Sequence, residues 1–402
     1  KCTSGQTCCG GTTCQTRKCT PPAPPAPPCM ATVCASGCPF TSVNAAYAAA
    51  ADGDTIFLGP GTYPTGIFVT KDVTLAACPG VTGVKLTPDR AQYAPPTASD
   101  SYYAIISEDK TDTSTLRTVT LRGLDLASSA SQQDDEALLY SGRHETVSFL
   151  VTDCTFTNAT YGIWAGVGSH LANGCTFDGC TRPIYLEAYG RSSAMNLSMT
   201  GTTVTNSPLI LTDSTYGVMF SPGDTATSGS LLMNDCTFSD NGDYGLLFEA
   251  DTYNQAPYTA SITNTTFARS GRACLMYAGS LTFTGCTIED NGDTGLEIYD
   301  ASVTVRDTTI QRNTARYWGG GIAILAQSVD ASLTIAGTTL ITANSAPTSE
   351  GCGGIMRSAW YPPLTVAVSG TTTSNVTGNN DGDCKLWTTT ANPVTVDCGT
   401  WV

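Results

Sequence analysis

Three sets of residues in this 402-residue chain have the types and spacing that chemistry needs. The first is Asp134-Asp135-Glu136 followed by Arg143-His144-Glu145 on one long turn. Acid, arginine and a rare histidine together could act on a sugar, histidine being the usual general base; the plainer reading is a solvated loop. The second is Asp240/Asp243 with Asp290/Asp293, from two copies of Asp-Asn-Gly-Asp. Stacked, these bends would line up carboxylate oxygens for a low-affinity calcium site. A tight bend with positive φ asks for the same residues, however, and the intervening Ala268-Arg269-Ser270-Gly271-Arg272 puts arginine where such a ladder needs acid. The third is the column Cys154, Cys175, Cys236 and Cys286. It reads either as small buried hydrophobes or as staples between neighbouring turns of chain, with Cys154–Cys175 and Cys175–Cys180 as the pairs to test. No Cys/His cluster has zinc spacing. Calcium is thus the one cofactor the sequence admits, and the favoured reading needs none.

These residues sit in a repeat. Residues 234–248, NDCTFSDNGDYGLLF, return at 285–298 as GCTIEDNGDTGLEI, and weaker copies run along most of the chain. An apolar-alternating run, an Asn/Gly/Asp bend and a second run opening on glycine make a strand–turn–strand unit, and its recurrence at variable intervals predicts a solenoid. One strand register includes 119–126, 152–156, 173–177, 200–204, 234–238, 263–267, 284–288, 306–310, 336–340 and 369–373. A second trails it, opening on Gly162, Gly217, Gly245, Gly295 and Gly321. Period-two alternation turns Cys or Thr and then Phe, Ile or Leu inward. About a dozen coils at ~4.8 Å each predict a rod of roughly 55–60 Å. The extra residues of long repeats belong in one turn, with 85–115 and 205–230 the longest.

Composition narrows the function. Charged residues are 13% of the chain, with a net charge of −15, so binding nucleic acid by neutralising phosphates is excluded. Eighteen cysteines point to an oxidising, extracellular or cell-surface location. No apolar run is long enough to span a membrane. The chain opens at Lys1 directly in a cysteine-dense module, which reads as a secreted protein after removal of its leader.

Residues 1–20 carry Cys2, Cys8, Cys9, Cys14 and Cys19 and hardly a hydrophobic side chain, so disulfides must hold this module. Five is odd, which leaves one to pair outside, with Cys29, Cys34 or Cys38 in reach. The vicinal Cys8-Cys9 before Gly10-Gly11 resembles small toxin-like or carbohydrate-binding cystine modules. Residues 21–39 form an arm or linker. Its stretch PPAPPAPP (Pro21, Pro22, Pro24, Pro25, Pro27, Pro28) predicts an extended polyproline II rod about 25 Å long, either a spacer or an arm that docks in another subunit. It resembles the Pro-rich segments of hydroxyproline-rich cell-surface glycoproteins of algae and plants.

The solenoid proper spans 40–380. Residues 41–51, TSVNAAYAAAA, predict a short helix with Thr41 or Ser42 as N-cap. Asp52-Gly53-Asp54 follows as a turn, 55–58 as a strand, Gly59–Tyr63 as a turn, and 67–69 and 73–75 as strands. This order resembles the N-terminal cap and first coil of right-handed parallel β-helices of the pectin lyase-like superfamily. The fold class expected is therefore all-β: a right-handed parallel β-helix with a short capping helix, preceded by the cystine module and the polyproline arm. The glycine-rich coils at 318–322 and 351–355 resemble bacterial polymorphic surface proteins and adhesins with β-helical passenger domains. Residues 381–402, with Cys384 and Cys398, are expected to cap the far end through a disulfide.

The resemblance implies catalytic sets that this chain does not carry. Polygalacturonase-type enzymes have clustered Asp with a Gly-His-Gly histidine, but Gly168-Ser169-His170 lacks the second glycine; Arg182-Pro183 lacks the second Arg of lyase spacing. Carboxylate pairs at glycosidase separation would arise by chance on an acidic solenoid. Sequons stand at Asn158, Asn196, Asn264 and Asn375. The resulting expectation is a non-catalytic structural or adhesive surface protein that assembles with itself head to tail, contacts glycans, or both. A lyase or hydrolase acting on acidic polysaccharide, and a glycan-binding adhesin that does not assemble, are the alternatives.

Overall fold

A computed structural model describes residues 30–89, 104–109, 114–128, 136–142, 146–188, 193–208, 215–222, 226–249, 257–346 and 352–359, and the later stretches 366–370, 375–380, 384–388 and 394–395. The cystine module, the Pro-rich stretch, Cys29 and Cys398 lie outside the described residues.

The chain winds as a parallel β-helix with three strands per coil. Among the described residues, sheets A and B have twelve strands each and sheet C has thirteen. The first coil supplies Thr55–Leu58 to A, Gly61–Thr65 to B and Ile67–Val69 to C. Successive coils pair in parallel, as in Leu231↔Ala260 and Phe238↔Phe267. At the ~4.8 Å strand spacing twelve coils make a rod about 55 Å long.

The sequence pattern showed two registers where there are three. Each pentad read as one strand straddles a corner: Val147–Thr152 ends on sheet A, Asp153 takes φ 52°, and Thr155–Thr157 begins on sheet B. The equivalent corner holds Gly174, Gly201, Asp235, Asn264, Gly285, Asp307 and Gly337, all left-handed. A second left-handed corner leads from B to C, at Asn158, Gly179, Asn206, Asp240, Arg269, Asp290 and Arg312. Gly, Asn and Asp enter this region at least cost. In the Asp-Asn-Gly-Asp bends the left-handed residue is therefore the first Asp, not the glycine. Gly61 likewise opens a strand rather than sitting in a turn. Residues 205–230 do not form one loop either, because Tyr216–Ser221 is a sheet C strand within them.

Two inward ladders line the corners. Behind the A-to-B corner, Cys286 N–H donates to Thr308 Oγ1 at 3.2 Å and Cys236 N–H to Thr265 Oγ1 at 3.4 Å. Behind the B-to-C corner an amide ladder runs through Asn291, Asn313, Asn344 and Asn379. Each Nδ2 donates to the next Oδ1, at 2.8, 3.0 and 3.0 Å, and also to a strand carbonyl, as from Asn313 to Ile288 O at 3.1 Å. Between the ladders, phenylalanines stack coil on coil, with Phe156–Phe177 centroids 4.4 Å apart and Phe238–Phe267 4.9 Å apart. The column cysteines are free, buried thiols. The proposed Cys154–Cys175 and Cys175–Cys180 staples are therefore not formed. Burial pushes Cys154 and Cys180 up to about 12 and Cys175 to about 11, which makes them inert.

The helix Val43–Ala49, N-capped by Ser42, covers the first coil. Asn44 Oδ1 accepts from Gly66 N–H at 3.2 Å, and Tyr47 Oη accepts from Thr70 N–H at 2.8 Å. Cys34 is bonded to Cys38, so neither is available to the N-terminal module; Cys78 is disulfide-bonded as well. Sheet C continues through Cys384–Thr388 and is closed by an antiparallel strand, Val394–Thr395. Among the described residues no helix is long and apolar enough to cross a membrane.

Candidate functional site

Tyrosine and arginine recur at the start of sheet C strands. Tyr161 pairs in register with Arg182, and Tyr216 with Tyr244, which pairs with Arg272. The glycine after each tyrosine lies against the next coil: a Cβ on Gly162 would stand 2.5 Å from Pro183 O, and one on Gly245 2.8 Å from Ala273 O. Alternation then turns Trp164, Tyr185, Met219, Leu247, Leu275 and Glu297 outward in one row across six coils. This row gives sheet C an aromatic and ionic outer face.

The first half of this face is aromatic. Tyr161 stacks on Trp164 at 4.5 Å, Tyr185 meets both edge-on at 5.5 Å, and the Arg182 guanidinium lies 5.1 Å from the Tyr161 ring. Tyr185 Oη donates to Glu187 at 2.6 Å. Two coils further on, Glu249 is exposed, yet its carboxyl is held above the usual range by burial and by Glu187.

The second half is ionic. Arg272 Nε lies 3.1 Å from Glu297 Oε2 and 3.3 Å from Asp293 Oδ2, and Nη1 contacts Tyr244 Oη. Tyr299 Oη donates to Glu297 Oε1 at 2.7 Å. Asp293 Oδ1 accepts from the N–H groups of Thr294 and Arg316, at 2.9 and 3.0 Å. Arg272 Nε and Glu297 Oε2 are close without aligning as donor and acceptor, so this buried ion pair keeps hydrogen-bonding capacity in reserve. Glu297 is 4% exposed, and burial raises its carboxyl despite Arg272 and Tyr299. Burial lifts Tyr244 to about 12 and, with Glu297, raises Tyr299 as well. Burial opposes the charge of Arg272, but Glu297, Tyr244, Asp293 and Asp243 outweigh it, and the guanidinium stays protonated. These groups can hold a polar ligand by charge and hydrogen bonds. Neither the tyrosines nor Arg272 is poised to take a proton near neutral pH.

The residues singled out from sequence fall in different places. Asp134, Asp135, Arg143 and His144 lie outside the described residues; Glu136, beside them, is buried and accepts from Ser128 Oγ at 2.5 Å. The four aspartates split into two sets, Asp240 and Asp290 at the corner and Asp243 and Asp293 near Arg272. Asp240 and Asp290 occupy the exposed corner, each held by an arginine of a following coil: Arg269 Nε and Nη2 on Asp240, and Arg312 Nε and Nη2 on Asp290, all at 2.8 Å. These bonds hold both carboxyls below the usual range. Asp293 faces Arg272 instead. The four do not form one ladder, arginines holding Asp240, Asp290 and Asp293, and among the described residues no group of three or more His, Cys, Asp or Glu could hold a metal ion. His170 points inward, accepting from Phe149 N–H at 3.3 Å, and burial lowers it to about 4. Asn158 and Asn264 are exposed left-handed corner residues. Asn196 lies mid-strand and accepts from Ser230 Oγ at 2.6 Å, and Asn375 opens the strand Asn375–Val376. Arg272 and its tyrosines escaped the sequence reading; the recurring Tyr-Gly at strand starts was the signal.

The fold and this outer face define a repetitive parallel β-helix whose sheet C carries an aromatic and ionic row among the described residues. The chain belongs to the right-handed β-helix region family, whose model matches residues 137–254 and 191–359, together more than half the chain. No curated protein matches the sequence. Among solved structures it is similar to the periplasmic alginate epimerase AlgG (10% identity, 79% of this chain and 74% of that one, TM-score 0.46). Tailspike protein 3 of bacteriophage CBA120 is similar as well (14% identity, 87% and 59%, TM-score 0.44), this chain spanning only part of its length. A third is XylC in complex with xylose (10% identity, 79% and 68%, TM-score 0.41).

Proposed function

We propose that the protein is a non-catalytic structural or adhesive protein of an extracellular surface, a rigid rod that assembles into a fibre or wall layer. The observation that carries this reading is the difference between its ends. At the first coil the helix Val43–Ala49 covers the core, and the chain enters through Thr32 and Val33, whose N–H groups donate to Phe57 O at 2.8 and 3.0 Å. At the far end only sheet C has an antiparallel closing strand; Val366–Gly370 and Asn375–Val376 each pair on one side among the described residues. Unlike ends favour heterologous contacts, which propagate instead of closing. Electron microscopy of native material tests the reading. Fibres or sheets with a repeat near the rod length are expected, and monodisperse single rods under all conditions would overturn it.

One observation favours a second reading, action on or binding of polysaccharide. The aromatic row of sheet C leads into an ion pair with unmet hydrogen-bonding capacity at Arg272 and Glu297, a surface suited to acidic or neutral sugars. Polygalacturonate, alginate and glucuronan, each with and without calcium, are the substrates to screen. An unsaturated or shortened product that disappears in Arg272→Ala, or in Arg143→Ala or His144→Ala, would replace the first reading with this one.

A further inference from the structure

We propose that an apolar groove on the outer face of sheet A receives the Pro-rich segment 21–28 of a second copy of this chain; the proposal rests on the assembly reading and supplies its contact. The groove, of about 440 Å³, crosses four successive strands, Arg117–Arg122, Val147–Thr152, Gly168–Asn173 and Ala194–Thr200. Leu116, Leu150 and Val167 form its apolar part. Leu116 is 53% exposed there.

Its polar part is a row of donors. Thr118, Ser148, Ser169 and Asn196 occupy one register position on the four strands. Ser148 Oγ accepts from Ser169 N–H at 3.2 Å and Asn196 Oδ1 accepts from Ser230 Oγ at 2.6 Å. The hydroxyl hydrogens of Thr118, Ser148 and Ser169 and the amide hydrogens of Asn196 can donate into the groove. They suit a ligand rich in acceptors. In Pro21-Pro22-Ala23-Pro24-Pro25-Ala26-Pro27-Pro28 every residue keeps its carbonyl, and only Ala23 and Ala26 keep an N–H.

The periods agree as well. A polyproline II helix has three residues and about 9.3 Å per turn, and two coils of the rod rise about 9.6 Å. An arm lying along the rod therefore brings a carbonyl to every second donor. The Pro-Pro-Ala triplet repeats with the turn, so its two alanines share one narrow edge along which the backbone can approach the donors. The arm is assigned to a neighbour by the assembly reading on which the proposal rests.

The test uses full-length chains in analytical ultracentrifugation. One variant fills the groove at the exposed Ser169 (Ser169→Trp), with Leu116→Lys as an independent second should the first not fold. Another replaces all six prolines of 21–28 by serine at constant length. Association of each variant alone should weaken at least tenfold. An equimolar mixture should form one-to-one pairs and nothing larger, because it retains a single competent arm and a single competent groove. Wild-type-like assembly of both groove variants would overturn the groove while leaving the assembly reading intact. Wild-type-like assembly of the proline variant, or failure of the mixture to pair, would overturn the arm's role. A closed wild-type dimer sensitive to both changes would uphold the contact and remove open-ended assembly. A wild type that stays monomeric would remove both.

Discussion

Asn291 and Asp293 are two residues apart and lie on opposite sides of the same wall. Asn291 is buried behind the corner, where its Nδ2 donates to Asn313 and to Phe267 O, and its Oδ1 accepts from Ser270 N–H. Asp293 faces outward into the Arg272 cluster, between the guanidinium and the backbone of Arg316. Inside, the amides of Asn291, Asn313 and Asn344 each donate to a strand carbonyl as well as to the next asparagine. Outside, one guanidinium is shared by two carboxylates and a tyrosine, with donor and acceptor misaligned. The asparagine ladder closes its hydrogen bonds, whereas the Arg272 cluster leaves some open.

The sharpest way to break this contrast is Asn313→Ala. It leaves Ile288 O, Asn291 Nδ2 and Asn344 Oδ1 short of partners in the dry interior, and a loss of about 4 kcal/mol is expected from urea unfolding. A loss below about 1 kcal/mol would mean that the ladder is ornamental.

His170 gives the next largest effect. Its value of about 4 in the folded chain, against an ordinary 6.5, means that the unfolded chain takes up a proton that the folded one refuses. Stability is full above pH 6.5 and falls as pH drops toward 4, by about 3 kcal/mol. In His170→Gln that slope should flatten. An unchanged dependence of the urea midpoint on pH would assign it to other groups.

Arg272→Ala tests the outer cluster. Removing the cation strands Asp293 and Glu297, and a loss of about 2 kcal/mol is expected, most of it recovered when Glu297→Gln is added. Additive losses in the double variant would show that Arg272 and Glu297 are not coupled. The raised Glu297 carboxyl acts in the opposite sense to His170: the folded chain holds its proton more tightly, so stability falls as pH rises above the ordinary carboxylate range.

Asp240→Ala should do least. Its pair with Arg269 has two bonds of 2.8 Å, but both side chains are largely in water. The urea midpoint is expected to stay within error of the wild type; a clear drop would promote this corner from ornament to clasp.

Much of the coil was legible because its signals are local. Thr287-Ile288-Glu289 alternates by two and Ile288 goes inward as the pattern required, although the left-handed bend falls on Asp290 and not within the Asn-Gly-Asp that follows it. The capping helix was legible in Ser42 and its alanines. The third strand of each coil was harder to see. Runs such as Ser280–Thr284 end one residue before a left-handed Gly285, and the bend is so short that two strands read as one. The Arg272 site was illegible for a different reason. Arg272, Asp293 and Glu297 read separately as a turn residue, a bend residue and a strand residue.

What the sequence determines by itself is whatever depends on neighbours along the chain: strand alternation, left-handed corners at Asp, Asn and Gly, the N-cap, and small side chains where coils press together. What only the tertiary structure decides is which residues of different coils stand side by side. Loops of unequal length separate the coils, so sequence distance says nothing of stacking. Register is settled instead by the buried rows of phenylalanine, cysteine and asparagine, which can interdigitate in one alignment. Once that alignment holds, Tyr244 must meet Arg272, and Arg272 must face Glu297 of the next coil, although nothing in the order of residues says so.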